Sequence, residues 1–301
     1  MNRVITDMRK GYREICNDIM VHGAKVAPRG MVTREVLGYS FTFKDPLDAL
    51  PIGTGRGLSL PFAAVEAAQL QAGVSFPDMM KRINPTMSQF MDTDDNGNEY
   101  LHGAYGPRIA PTLMEVVTLL KKSPDTRQAV LTIFETERDI TPNTPDVPCT
   151  LSLQFFIRND ALDLSVTMRS NDVWWGLAYD VFQFTQLQAM VAQMVGVRIG
   201  VYRHMANSMH AYERDWDSVR RLKTGQPLAH YPIGFRSPWS AISVLSAARN
   251  GKSTGSNLTE QWYSEHLTYV SPRATDSSSE ENPGSSRVIA GEENKNTVED
   301  E

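Results

Sequence analysis

The sequence predicts a chain that mixes strands with helices, on three observations. Two alternating runs, 151–157 and 162–168, flank a turn signal. An apolar pattern at three- and four-residue spacing follows over 181–196. A further stretch carries His210 and Tyr212 at period two. In the first run Leu151, Leu153, Phe155 and Ile157 alternate with Ser152, Gln154, Phe156 and Arg158, the period of a strand. Asn159-Asp160 reads as a turn. Leu162, Leu164, Val166 and Met168 then alternate with Asp163, Ser165 and Thr167. The two runs form a β-hairpin with Cys149 just before its first strand and Arg169 just after its second. Val181, Phe184, Leu187, Met190, Val191, Met194 and Val195 predict a helix over 181–196, stopped near Gly196. Asp180 stands at the start of that helix, where N-capping is the ordinary role of a carboxylate.

The hairpin gives Cys149 its interest. A lone cysteine is usually a small buried hydrophobe. A nucleophilic one needs its thiolate, and so a nearby cation or base. Antiparallel pairing brings the two hairpin ends together, which places Arg169 where it can stabilise a thiolate or hold an anion beside it. If extended, His210 and Tyr212 point the same way; the bland alternative is a surface histidine and a core tyrosine.

Composition sets limits. The chain has 301 residues, 41% of them hydrophobic, enough to bury one large core or two small ones. It contains no apolar run long enough to span a membrane, and its amino terminus lacks the apolar stretch of a secretory signal. Two cysteines, Cys16 and Cys149, suit a reducing cytoplasm, and no Cys/His spacing suggests zinc. From Ser271 to Glu301 there are eight acidic and three basic residues and almost no large apolar ones, which predicts a disordered acidic tail after a body at 1–270. Its net charge of −5 equals that of the whole chain, so the body is near neutral and direct nucleic-acid binding is not expected. The segment 236–270 is ambiguous, with Trp239, Trp262 and Tyr263 suggesting that it packs somewhere. Asp92 to Glu99 looks faintly like a calcium loop, with a solvated loop the better account.

The order Pro-Cys (148–149), Gln-Phe (154–155), Arg-Ser-x-Asp (169–172), Gly-Leu-x-x-Asp (176–180) and His-x-Tyr (210–212) resembles the thymidylate synthase family. The likeness runs from about Arg29 to Asp215. Met168 to Val173 and Cys149-Thr150 look most like its deoxycytidylate (dCMP) hydroxymethylase branch, found in some bacteriophages. The resemblance implies an α+β fold, with a large twisted mixed β-sheet, helices packed on one side, and a homodimer formed sheet to sheet. It also implies a location in the cytoplasm, the host's if the chain is phage-encoded.

The resemblance makes Cys149 the nucleophile that adds to C6 of a pyrimidine nucleoside monophosphate. Glu66 is the implied general acid/base, and Tyr105, in Tyr-Gly, a group near the thiol. Arg29 matches the phosphate-gripping arginine, with Arg34 a rival one alignment step away. Arg169 and Ser170 match further phosphate contacts. Arg127 matches an arginine donated across the dimer, although Gln128 replaces the second arginine that usually follows. Asp172 matches the aspartate that touches the folate pterin, and His210 and Tyr212 the pair on the sugar 3′-hydroxyl.

The implied cosubstrate is 5,10-methylenetetrahydrofolate, with no metal. Thiolate addition at C6 makes C5 nucleophilic toward its one-carbon unit, and proton loss from C5 then expels the folate. A synthase finishes by hydride delivery, a hydroxymethylase by adding water. Thr150 replaces a histidine common in synthases, and no apolar closing segment like theirs is recognisable; both favour hydration. Asp180 replaces the family's asparagine. An asparagine suits uracil, donating to O4 and accepting from N3–H, whereas an ionised aspartate only accepts and so suits the cytosine amino group. The expected product is 5-hydroxymethyl-dCMP. A CMP hydroxymethylase, or a synthase or hydroxymethylase acting on dUMP, remains as an alternative, and a non-catalytic nucleotide- or RNA-binding relative is disfavoured by the thiol.

Overall fold

Alternation in the sequence becomes one mixed sheet in the computed structural model, which describes residues 2–140, 143–225 and 232–269. The acidic stretch 271–301 lies outside the described residues. The first strands are β1 (Asn2–Ile5), β2 (Ala24–Val26), β3 (Thr33–Phe43), β4 (Asp92–Thr93) and β5 (Glu99–Tyr100). The later ones are β6 (Val130–Thr132), β7 (Thr150–Arg158), β8 (Ala161–Met168), β9 (Asn171–Asp172) and β10 (Arg198–Tyr212). Helices α1 (Met8–His22), α2 (Leu60–Ala72), α3 (Pro77–Ile83), α4 (Tyr105–Lys122) and α5 (Thr136–Asp139) precede the hairpin. Helices α6 (Leu177–Val195), α7 (Trp216–Arg220), α8 (Pro238–Arg249) and α9 (Leu258–Leu267) follow it.

The sheet runs β1-β3-β10-β8-β7-β6, with β2 added to β3 and β9 to β10. β10 is its spine, antiparallel to β3 and parallel to β8 and β9. The hairpin is the one expected, β7 antiparallel to β8, and its turn residues Asn159 and Asp160 have φ of 51° and 55°. Two successive left-handed residues match the twist of a hairpin, which is why Asn and Asp are found there.

One face of the sheet is apolar and covered. Tyr39, Phe41 and Phe43 of β3, Tyr202 and Ala206 of β10, Leu162, Leu164 and Val166 of β8, and Leu153 and Phe155 of β7 are all buried. Between them, Ser40, Thr42, Asp163, Ser165, Gln154 and Phe156 are only half-buried, and Met205 is 45% exposed. Helix α6 is buried along nearly its whole length. A helix apolar on all sides belongs in the middle of a fold, and α6 sits between the sheet and helices α2 and α4. It starts four residues earlier than the apolar spacing predicted, because Leu177 and Ala178 are also buried and Gly176 is the N-cap.

The ambiguous carboxy-terminal stretch is helical. α8 and α9 pack on α2, with Tyr263 buried, stacked on Phe235 at 4.4 Å, and hydrogen-bonded to Gln71. Trp262 is partly buried, but Trp239 is 78% exposed and does not join that packing. The Asp92–Glu99 segment is a small β4–β5 hairpin whose turn is tied by Asp94, which accepts from the backbone of Asn96 and Asn98. No described helix is long and apolar enough to cross a membrane.

Candidate active site

The ends of the β7–β8 hairpin close as expected, the Arg169 N–H donating to the Cys149 carbonyl at 2.8 Å. The pairing register shifts between Thr150 and Ser152. Such irregularity beside a functional residue re-aims its side chain. The Arg169 guanidinium donates from Nε to the Pro148 carbonyl at 2.9 Å and from Nη2 to the Val147 carbonyl at 3.1 Å, and Nη2 lies 3.8 Å from Cys149 Sγ. Arg169 pulls the thiol toward its ionised form, as expected, but does not by itself make it a thiolate. Burial pushes the Cys149 thiol up to about 11, and the pull of Arg169 and Arg29 does not offset burial together with the carboxylates of Asp180 and Asp146. At neutral pH Cys149 is a half-buried thiol that lines a cavity, and only its thiolate would be a nucleophile.

That cavity, of about 200 Å³, brings Glu66, Tyr105, Asp146, Cys149, Asp180 and Gln183 together. Val74, Met80, Met87 and Leu101 form an apolar wall. Glu66 projects from α2, whose start is capped by Ser59 accepting from the Phe62 N–H. The Ser59 N–H in turn donates to the Tyr179 hydroxyl at 3.0 Å, which ties α2 to α6. Glu66 Oε2 is buried without a hydrogen-bond partner among the described residues. Burial, then the charges of Asp180 and Asp146, raise its pKa well above the carboxylate range, so Glu66 is held as a neutral acid. Tyr105 opens α4 and stacks on Phe184 of α6 at 5.9 Å.

Asp180 does not cap α6. It lies in the fourth helical position, its Oδ2 accepting from Asn171 Nδ2 at 2.7 Å and its Oδ1 from Gln183 Nε2 at 3.1 Å. Burial lifts its pKa to about 7, against the pull of those two bonds. Gly176 lies close beside them: a Cβ there would stand 3.0 Å from Asn171 Nδ2 and 3.1 Å from Asp180 Oδ2.

The remaining expected residues fall into two groups. His210 and Tyr212 lie on β10, extended as expected, with perpendicular rings 5.2 Å apart. His210 Nδ1 is buried without a partner, and burial lowers its pKa, so it is neutral. Arg29 is exposed in a left-handed conformation (φ 52°), and its charge reaches both Cys149 and His210. Arg34, its rival, is committed elsewhere, donating to the Gly23 carbonyl and lying over the Trp216 ring at 5.3 Å. Ser170 is half-buried between Arg169 and β9. Asp172 uses Oδ1 to accept from the backbone of Trp174 at 2.8 Å and of Trp175 at 3.4 Å, and burial lifts it to about 6. Arg127 is exposed, outside the cavity lining.

Sequence reasoning missed Asp146, Asn171 and Gln183. Gln183 had a signal, being three residues beyond Asp180 on a helix and hence on the same face. Asp146, which accepts from the Gly103 N–H at 2.8 Å, lies three residues before Cys149 and had only that nearness as a signal. Asn171 sat unassigned inside Arg-Ser-Asn-Asp. Among the described residues there is no cluster of three potential metal ligands.

A thiol beside an arginine, with a neutral glutamate and a buried aspartate lining the same cavity, is an arrangement suited to covalent, acid/base-assisted chemistry. Residues 10–236 match the family model described as thymidylate synthase, and the chain belongs to the thymidylate synthase family. It is 32% identical over 222 residues to a deoxyuridylate hydroxymethyltransferase of Bacillus phage SP01, covering 68% of this chain and 57% of that protein. A protein of the same name from Pseudomonas phage M6 is 38% identical over 199 residues, 61% of this chain and 55% of its own length. Another, from Delftia phage PhiW-14, is 31% identical over 214 residues, 65% and 59%. The chain spans somewhat more than half the length of the curated relatives it matches.

Proposed function

We propose that this chain is a pyrimidine nucleotide C5-hydroxymethyltransferase that converts dCMP to 5-hydroxymethyl-dCMP. The observation that carries the choice of base is Asp180, whose two oxygens both accept hydrogen bonds from buried amides at the head of the cavity that holds Cys149 and Glu66. A carboxylate held in that way accepts the cytosine amino group and repels a carbonyl oxygen. The mismatched base leaves buried polar groups unpaired, which is the strongest form of discrimination open to such a pocket.

Cys149 gives its proton to solvent and its Sγ adds to C6, the thiolate charge being supported meanwhile by Arg169. Glu66, neutral in the free site, protonates the ring as electrons move toward the base edge, and the resulting carboxylate then takes the C5 proton. 5,10-Methylenetetrahydrofolate supplies the one-carbon electrophile, and the apolar wall of Val74, Met80, Met87 and Leu101 fits a flat heterocycle over the nucleotide. Water completes the product, and the C6–S bond breaks to restore the aromatic ring and the thiol. Arg29, Arg169 and Ser170 grip the phosphate, His210 and Tyr212 the 3′-hydroxyl, and Asp172 the folate. Arg127, exposed on this chain, serves the site of the other subunit in a homodimer.

A second reading, dUMP as substrate, is favoured by a specific observation. With its pKa near 7, Asp180 is partly neutral at physiological pH, and a neutral acid offers the same donor–acceptor pair as asparagine. The names of the three phage relatives agree with it. Incubation of the protein with 5-tritiated dCMP or dUMP and methylenetetrahydrofolate decides between them. Tritium release reports C5 chemistry, and product mass separates hydroxymethyl from methyl. The proposal expects hydroxymethyl-dCMP without dihydrofolate. Release from dUMP alone gives the second reading, and release from neither rejects both.

A further inference from the structure

Behind Asp180 runs a chain of buried hydrogen bonds that reaches no solvent. Asn171 Nδ2 donates to Asp180 Oδ2 at 2.7 Å, and its Oδ1 lies 3.1 Å from His204 Nε2. His204 Nδ1 lies 2.8 Å from the Tyr202 hydroxyl. Asn171 and His204 are each 1% exposed and Tyr202 is fully buried. His204 also stacks on Phe41 at 5.0 Å, so the imidazole has little freedom to turn.

The direction of this chain follows from donor arithmetic. His204 is neutral, its pKa lowered to about 3 by burial, so one ring nitrogen donates and the other accepts. With Asn171 donating to the carboxylate, Asn171 Oδ1 must accept from His204 Nε2–H, and His204 Nδ1 must accept from the Tyr202 O–H. Every donor then has an acceptor, and all of them point toward Asp180. The opposite arrangement would need Asp180 protonated and donating to Asn171 Oδ1, Asn171 donating to His204, and His204 donating to Tyr202. The Tyr202 hydrogen would then have no acceptor, since His204 is its only hydrogen-bond partner among the described residues. A buried donor left without an acceptor is strongly disfavoured. Tyr202 therefore sets the sense of the relay from its far end.

We propose that Asn171, oriented by His204 and Tyr202, is the positioning residue that locks Asp180 as a hydrogen-bond acceptor and thereby sets the preference for cytosine over uracil. This rests on the assignment of Asp180 to the base edge, and it gives three residues outside the substrate a part in choosing it. Gly176 packs against the same pair, a Cβ there standing 3.0 Å from Asn171 Nδ2 and 3.1 Å from Asp180 Oδ2. The ionisable groups that share Asp180's surroundings are Glu66 of α2, Tyr105 of α4, Cys149 before β7, Asp172 of β9 and Tyr202 of β10. Of these only Tyr202 belongs to the relay, so the relay variants leave the other four in place.

The test measures binding of dCMP and dUMP to the full chain by calorimetry, without folate, from pH 6 to 9. It compares the native protein with Asn171→Leu, which keeps a branched side chain but neither the amide donor nor its acceptor, and Tyr202→Phe, which removes one oxygen. The native protein is expected to favour dCMP at pH 8. Asn171→Leu should cut the dCMP:dUMP affinity ratio at least tenfold and move the midpoint of dCMP binding to higher pH, since the carboxylate loses a donor. Tyr202→Phe should shift both in the same direction by less. A folded Asn171→Leu protein with unchanged ratio and midpoint overturns the proposal. If Asn171→Leu does not fold, unchanged values in Tyr202→Phe overturn it equally. A native protein that favours dUMP at pH 8 rejects the lock together with the cytosine assignment. One that favours dCMP but hydroxymethylates nothing rejects the reaction alone, and the binding comparison still decides the lock.

Discussion

At the scale of single residues, the site is governed by the cost of burying charge. Glu66, Cys149 and Asp180 share one small cavity, and in each case burial is the largest influence on its proton, opposing ionisation. The consequence for Asp180 has a definite sign. Its pKa is raised to about 7, so it is ionised above that value and neutral below it. Turnover of dCMP, as kcat/KM, is therefore expected to rise with pH through about 7, while any activity on dUMP falls over the same range. Parallel profiles for the two nucleotides would show that another group controls the limb. Asp180→Asn replaces the double acceptor by a donor–acceptor pair. It should lower the dCMP:dUMP ratio of kcat/KM by about 10- to 100-fold, the worth of one mismatched buried hydrogen bond. An unchanged ratio would remove Asp180 from base selection. The residue types were all visible in the sequence. Their protonation was not, because burial depends on which side chains gather round them.

At the scale of elements, the β7–β8 hairpin does most of the positioning. Its alternation and its Asn-Asp turn were legible because strand period and turn chemistry are local properties. The closure that sets Arg169 beside Cys149 followed directly. The turn itself carries strain, since Asp160 is left-handed at φ 55°. Asp160→Gly gives the turn its preferred Asn-Gly pair and should stabilise the protein by up to about 1 kcal/mol in thermal unfolding. A fall in stability would mean that the Asp160 side chain does more than bend the chain. The start of α6 was less legible. Asp180 looked like a cap because a carboxylate near a helix start usually is one. The cap is Gly176 instead, and Asp180 is turned inward to Asn171, a partner supplied by a neighbouring strand.

At the scale of the molecule, the sheet is the organising fact. Its apolar face lies under the helices, while Leu37 of β3, 71% exposed, and Met205 of β10 leave apolar surface uncovered elsewhere on it. Exposed strands of a large sheet with such residues fit a second copy of the chain better than water. Replacing Leu37 and Met205 together by Lys should convert a dimer to monomer in sedimentation. It should also lower activity, if Arg127 completes the partner's site. A native protein that sediments as a monomer would refuse both points.

The sequence by itself determined the family and the chain order of the candidate site residues, because Cys149, Arg169, Asp172, Asp180, His210 and Tyr212 are carried by short motifs legible as residue types. Only the tertiary structure decided their states. It showed that Cys149 is a thiol, that Glu66 is neutral, and that Asp180 accepts from two amides while Asn171 leans on His204 and Tyr202. The physical reason is common to all of these. Protonation and hydrogen-bond direction are set by dielectric surroundings and by partners distant in sequence, and neither exists until β9, β10 and α6 have packed together.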